Sequence, residues 1–328
     1  MLKIADLVTL DDKAEFRSDV QLDAYDRPAQ NLPLLRSYLF SSAIPTRALA
    51  VTRDIAAVGL LKEFVNIYLN ERSINRLALV ANYGHGKSHL ALALANYFGR
   101  AADSAELQEL YPKIEAAVND KAMAATYREF KQNYGEFMLI RLRGDRPQSL
   151  HAQFLAGLKR GLAEHDLTRG AKLPFWHEEA ARILAGLTPA EIEKANAHLA
   201  KVGSELPLLR LDVAAHKDVF DRVVDTIQAA TGIRPALSEV SLAEVLDWVA
   251  REFVGPGKLG GILILFDVFS LYIERYGHRT APAELQDLLN GVDNLRGKAA
   301  FLALAQADPD TTADNLYTLN ATSRTSLK

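Results

Sequence analysis

Four short runs constrain this chain most: Arg76-Leu-Ala-Leu-Val-Ala81, Phe137-Met-Leu-Ile-Arg-Leu-Arg143, Ile262-Leu-Ile-Leu-Phe-Asp267 and Ala300-Phe-Leu-Ala-Leu-Ala305. Each is short and almost continuously apolar, the pattern of a strand buried on both faces of a parallel sheet. Helical patterns stand between them. Ile55, Val58, Leu61, Phe64, Val65 and Tyr68 recur at helical spacing, and HLALALANYFG reads as a helix ending at Gly99. Residues 103 to 133 are helical in pattern, Ser149 caps a helix that follows it, and Ala283 to Leu295 is another helix. Strands alternating with helices predict an α/β fold with a parallel sheet and flanking helices.

One stretch breaks the alternation. From 166 to 255 only helical patterns occur, interrupted by Pro174, Pro189, Pro207 and Pro235, with a helix start at Ser241. This predicts a helical insertion. The expected organisation is an N-terminal arm over 1–50, irregular or partly helical around Pro28, Pro33 and Pro45. A first core part (51–165), the insertion (166–255) and a second core part (256–328) follow.

Composition removes several function classes. The 328 residues include no cysteine, which excludes disulfides and thiolate metal sites, and the eight histidines lack any zinc-ligand spacing. A net charge of -3 gives no global basic field for nucleic acid, so DNA contact is expected to be local or to belong to a partner. The opening MLKIADLVTLDDKAEF becomes charged too early for a secretory leader, and no apolar run approaches the roughly 20 residues that cross a bilayer. The expectation is a cytoplasmic protein with no membrane contact.

The first strand runs into Ala81-Asn-Tyr-Gly-His-Gly-Lys-Ser88 and then a helix. A loop that holds phosphates needs glycines so that its N–H groups curl inward, a lysine for the β and γ phosphates, and a hydroxyl for Mg²⁺. It must also open a helix, whose first amides and dipole attract anions. Gly84, Gly86, Lys87 and Ser88 fill these roles, and Ala81 stands where the strict pattern has its first glycine. The candidate nucleotide-binding set is Ala81, Tyr83, Gly84, His85, Gly86, Lys87, Ser88 and His89; the bland alternative is a glycine turn with a chance Lys-Ser. His85 occupies a variable loop position, and His89 also reads as an ordinary helix residue.

A Mg²⁺-dependent phosphohydrolase also needs a carboxylate at the end of a neighbouring apolar strand. Asp267 is in that place, with Ser88 as the second candidate metal ligand; the alternative for Asp267 is a cap on the next helix. Many such enzymes follow the aspartate with a glutamate that activates water. Here the residue is Val268, which can accept neither proton nor hydrogen bond. Weak hydrolysis, a base displaced elsewhere, or a substitution that traps the bound state all fit. Glu274 is the nearest later carboxylate. Gln306, at the tip of the last strand, suits contact with a γ-phosphate, and Arg324 suits an arginine finger or a solvated tail residue. Arg141 and Arg143 share a strand face, where they reach substrate or partner or form internal salt bridges.

ANYGHGKSHLALALANYFG, ILILFDVFSLYIERYG and FLALAQADPD together resemble the P-loop, AAA+-like ATPases of bacterial phage-defence and DNA-modification systems, of the BREX and DNA-phosphorothioation kind. The resemblance covers roughly residues 50 to 310. It implies ATP and Mg²⁺ as cofactors, phosphate contacts from Gly84 to Ser88, metal coordination by Asp267 and γ-phosphate sensing by Gln306. It also implies protein partners in a defence or modification complex, DNA reached indirectly, and a homo-oligomer. The chain stops about twenty residues after Gln306 where these relatives continue, so the resemblance further implies an N-terminal fragment. Two other classes stay open: a scaffold with a vestigial nucleotide site, and a helicase-loader-like remodelling ATPase.

Overall fold

A computed structural model describes residues 20–40, 57–81, 86–167, 183–204, 206–211, 217–233, 241–276 and 281–306. The chain divides into two units, Met1–Leu158 with Ala250–Lys328, and Lys159–Val249.

The first unit is built on β1 (Arg76–Val80), β2 (Met138–Arg143), β3 (Ile262–Asp267) and β4 (Ala299–Ala305). They form one sheet in the order β1-β4-β3-β2, and every pairing is parallel. The fold is therefore α/β with an all-parallel sheet. The four apolar runs lie in these strands because both sheet faces are covered, so neither face selects for polar residues.

Alternation sorts the side chains. Leu79, Leu139, Leu263, Leu265, Leu302 and Leu304 share one cluster with residues of α2 (Ala57–Leu69), α3 (Lys87–Gly99), α4 (Ala105–Val118) and α5 (Lys121–Tyr134). Helix α3 is buried continuously from Leu90 to Gly99, which explains why its apolar residues show no preferred side. On the opposite face, Phe266 meets Phe269, Tyr272 and Phe301 with ring centroids 5.1, 5.0 and 6.5 Å away. Helices α10 (Phe269–Tyr276) and α11 (Ala281–Asn294) pack there on β4, and Gly157 of α6 (Leu150–Glu164) lies against Ile140.

The N-terminal segment is part of this core. A 3-10 turn, Leu22–Asp26, precedes α1 (Pro28–Ser37), whose proline at the first helical position needs no N–H partner. Leu22, Tyr25, Leu34, Leu35, Tyr38 and Phe40 are buried in the same cluster as α3. Asn31 and Asn96 exchange two amide hydrogen bonds of 2.7 and 2.9 Å in the interior. Lys113 Nζ donates to the carbonyls of Leu35, Arg36 and Tyr38, closing the C-terminal end of α1 with a cation.

The second unit contains no strand among its described residues. Helices α7 (Pro189–Lys201) and α8 (Lys217–Thr231) pack as a pair around Ala195, Leu199, Leu208, Val223, Val224 and Ile227. Thr188 and Glu191 form a reciprocal capping box at the start of α7. A further helix, α9 (Leu242–Val249), begins after Ser241, whose Oγ accepts from Glu244 N at 3.3 Å.

Candidate functional site

All four strands run the same way, so β1, β4, β3 and β2 end together, and chemically active residues gather at that edge. Gly86 opens α3 with φ 73°, a left-handed conformation that costs glycine nothing. Lys87 follows and donates from Nζ to the carbonyl of Ala81 at the end of β1. Burial pulls the Lys87 ammonium below its usual range, and the nearby Asp267 charge works the other way. Ser88 Oγ donates to Asp267 Oδ1 at 3.3 Å, although the two residues are 179 positions apart. Asp267, 6% exposed, also accepts from Val268 N at 2.9 Å. Burial raises its carboxyl above the ordinary range, and these hydrogen bonds offset part of the rise.

The structure places Gln306 one residue past the end of β4, between the strands of Lys87 and Asp267, with its N–H donating to Ser270 Oγ at 3.0 Å. Ala81 is buried, and its N–H continues the ladder to Ala305 at 3.2 Å. The His89 ring turns to the N-terminal segment: Nε2 donates to the Leu34 carbonyl at 2.6 Å, and the ring lies 4.8 Å from that of Tyr38. Burial lowers its pKa, which keeps it neutral. Tyr83, Gly84, His85 and Arg324 lie outside the described residues.

The tip of β2 adds a charged group in which the salt bridges of Arg141 and Arg143 are the internal ones offered by the sequence, while the place of Asp145 is not foretold by it. Register sets Arg143 opposite Asp267. The Arg143 guanidinium grips Asp145 in two-pronged fashion, at 2.9 and 2.6 Å, and stands 3.5 Å from Asp23, which Arg146 also holds at 2.8 Å. Arg141, two residues earlier, pairs with Asp26 at 2.7 Å. Both arginines are thus engaged in salt bridges within the unit. The hydrogen bonds from Arg143 hold the Asp145 carboxyl below its usual range.

Val268 carries the second unforeseen feature. Its φ is 56°, a left-handed backbone that β-branched residues rarely adopt. Its carbonyl starts α10 by accepting from Leu271 N at 3.2 Å. That carbonyl passes so close to Gly144 that a Cβ there would stand 2.1 Å from it, so only glycine fits at the tip of β2. Gly144 N in turn donates to the Asp267 carbonyl at 2.9 Å. Together these contacts lock the turn after β2 onto the turn after β3.

An ammonium, a hydroxyl, a buried carboxylate and a helix start whose N-cap is a glycine therefore converge at the carboxyl edge of a parallel sheet. The crossover after β1 leaves on one face and that after β3 on the other, the arrangement that opens a crevice in sheets of this kind. The chemistry suits an oxyanion accompanied by a divalent cation. Among the described residues no group of three His, Asp or Glu could hold a metal unaided, so a cation here needs oxygens from its ligand and from water. Also among the described residues, no helix is long and apolar enough to cross a membrane. Comparison with protein families, with curated proteins and with solved structures finds no match to this chain.

Proposed function

We propose that this chain is a P-loop ATPase core of the AAA+-like class that binds MgATP at the carboxyl edge of the sheet. The observation that carries the reading is the approach of Ser88 Oγ to Asp267 Oδ1, which brings the two expected metal ligands together from distant parts of the sequence. In this reading the first amides of α3 face the phosphates, and Lys87 exchanges the Ala81 carbonyl for phosphate oxygens. Ser88 and Asp267 would hold Mg²⁺, which would supply positive charge against the phosphates. Gln306 reaches toward the γ-phosphate from the strand between them. Protein partners in a bacterial defence or DNA-modification complex rest on the resemblance of the three stretches alone.

Titration calorimetry with ATP, with and without Mg²⁺, tests the proposal. The wild-type chain is expected to bind, more tightly with Mg²⁺, and Lys87→Ala is expected to lose binding while its melting temperature stays unchanged. Equal affinity in both proteins would reduce the glycine stretch to a turn. Val268 favours one other reading, a scaffold whose nucleotide site is vestigial. Saturable MgATP binding by the wild type rejects it.

A further inference from the structure

Val268 leaves the proposed ATPase without the carboxylate that normally follows the metal-binding aspartate, and the neighbouring strand offers another. We infer that Asp145 is the water-orienting catalytic residue of this site, displaced from the tip of β3 to the tip of β2; the inference rests on the ATP reading above.

Position is the first argument. The β2–β3 register sets Arg143 beside Asp267, so Asp145 stands just past the strand ends at the edge where Lys87, Ser88 and Asp267 meet. Its charge acts on the Asp267 carboxyl, as does that of Arg143. Glu274, by contrast, is exposed and lies five residues past the first residue of α10, about 7 Å along the helix axis from its start.

Rigidity is the second. Catalytic groups act through preorganisation, and a positioned one contributes far more than a mobile one. Three contacts fix the Asp145 backbone and side chain. Gly144 N is tied to the Asp267 carbonyl, Arg275 Nη1 donates to the Asp145 carbonyl at 2.8 Å, and Arg143 grips the carboxylate. Arg143 is itself held, its N–H donating at 3.0 Å to Gln153 Oε1. The bare Cα of Gly144 allows this docking, because any side chain there would strike the Val268 carbonyl. The residue that lacks the usual function and the turn that carries the substitute are thus packed against each other.

Availability is the third. A two-pronged arginine occupies one lone pair on each carboxylate oxygen and leaves the others able to accept. The Asp145 side chain is 37% exposed, against 13% for Arg143, so water reaches the carboxylate while its clamp stays covered. Asp145 remains ionised at neutral pH and serves as a hydrogen-bond acceptor rather than a strong base. In the step, the water oxygen bonds to the γ-phosphorus while the bond from that phosphorus to the β–γ bridging oxygen breaks. The electron pair departs on ADP. Asp145 accepts a hydrogen bond from the attacking water, and the displaced proton ends on the inorganic phosphate.

Single-turnover hydrolysis of MgATP by the full chain decides the matter, with affinity measured in parallel. Asp145→Asn is expected to keep wild-type ATP affinity and melting temperature while its rate falls about 10²-fold or more. Arg143→Gln breaks the same ion pair but keeps the carboxylate on a turn that Gly144 and Arg275 still anchor, and is expected to lose at least about tenfold less rate than Asp145→Asn. Three results overturn the inference: wild-type rate in Asp145→Asn, equal losses in the two variants, or MgATP binding by the wild type with no turnover. Failure of the wild type to bind ATP at all is a different result, and removes the ATP reading with it.

Discussion

Each end of α3 has a lysine that donates to a backbone carbonyl, fully buried at one end and half-buried at the other, and the resemblance stops there. At the C-terminal end, Lys131 Nζ donates to Phe98 O and to Gly135 O, both at 2.6 Å, with the Phe137 ring 5.7 Å away. Its amino group sits at the C-terminal end of the helix and binds together the last turns of α3 and α5. At the N-terminal end, Lys87 places its cation beside the positive end of the same helix, where the dipole opposes it. The first lysine is explained by folding. The second is held by the Ala81 carbonyl and the Asp267 charge, and in the ATP reading the phosphates add to them.

The largest effect should separate the two ends by ligand. Lys87→Ala is expected to weaken MgATP binding by about 10²-fold or more, as loss of a charged partner does, whereas Lys131→Met leaves affinity unchanged. A drop in both would mean that Lys131 supports the site through the helix. Stability should reverse the order. Lys131→Ala leaves two carbonyls without their donor and opens a void, and is expected to cost about 3 kcal/mol in denaturant unfolding; Lys87→Ala is expected to cost almost nothing.

Acidity sharpens the same contrast. Burial lowers the Lys131 pKa from 10.5 to about 7. Between those values the unfolded chain keeps a proton that the folded chain has released, so stability rises with pH from about 7 to about 9.5. Above that, Tyr38 and Tyr68, whose ionisation burial opposes, pull the other way. Unfolding curves across this range should show the rise in wild type and a flatter profile in Lys131→Met.

The smallest expected effect lies at Val268. Asparagine tolerates a left-handed backbone, so Val268→Asn is expected to gain about 1 kcal/mol of stability. An equal or lower unfolding midpoint would show that packing of the valine methyls outweighs the strain.

What the sequence disclosed follows from how local each signal is. The strands were legible because burial on both faces writes itself into consecutive residues, and β3 coincides with its apolar run from Ile262 to Asp267. Lys87, Ser88, Asp267 and Gln306 were legible because glycine turns and strand ends mark such positions. The pairing of Asn31 with Asn96 was not, since two amides 65 residues apart carry no periodic signal. Burial of Lys131 was not either, since it comes from contacts with Phe98, 33 residues away. Asp145 and the positive φ of Val268 were hidden for opposite reasons. The role of Asp145 depends on which strand pairs with β3, and valine is among the residue types least expected at that backbone conformation.

The strand order has a consequence for how this molecule comes into being. Among the described residues β1 has a single neighbour, β4, the last strand in the chain. During synthesis β1 and α3 emerge early, and the pairing of β1 with β4 must wait until Ala305 has left the ribosome. Contacts so distant in sequence are slow to close and expose aggregation-prone edges meanwhile. Lys87 therefore meets Asp267 within the described sheet only after β4 has joined β1 to β3, and a nascent chain halted before β4 should carry neither that sheet nor the proposed site.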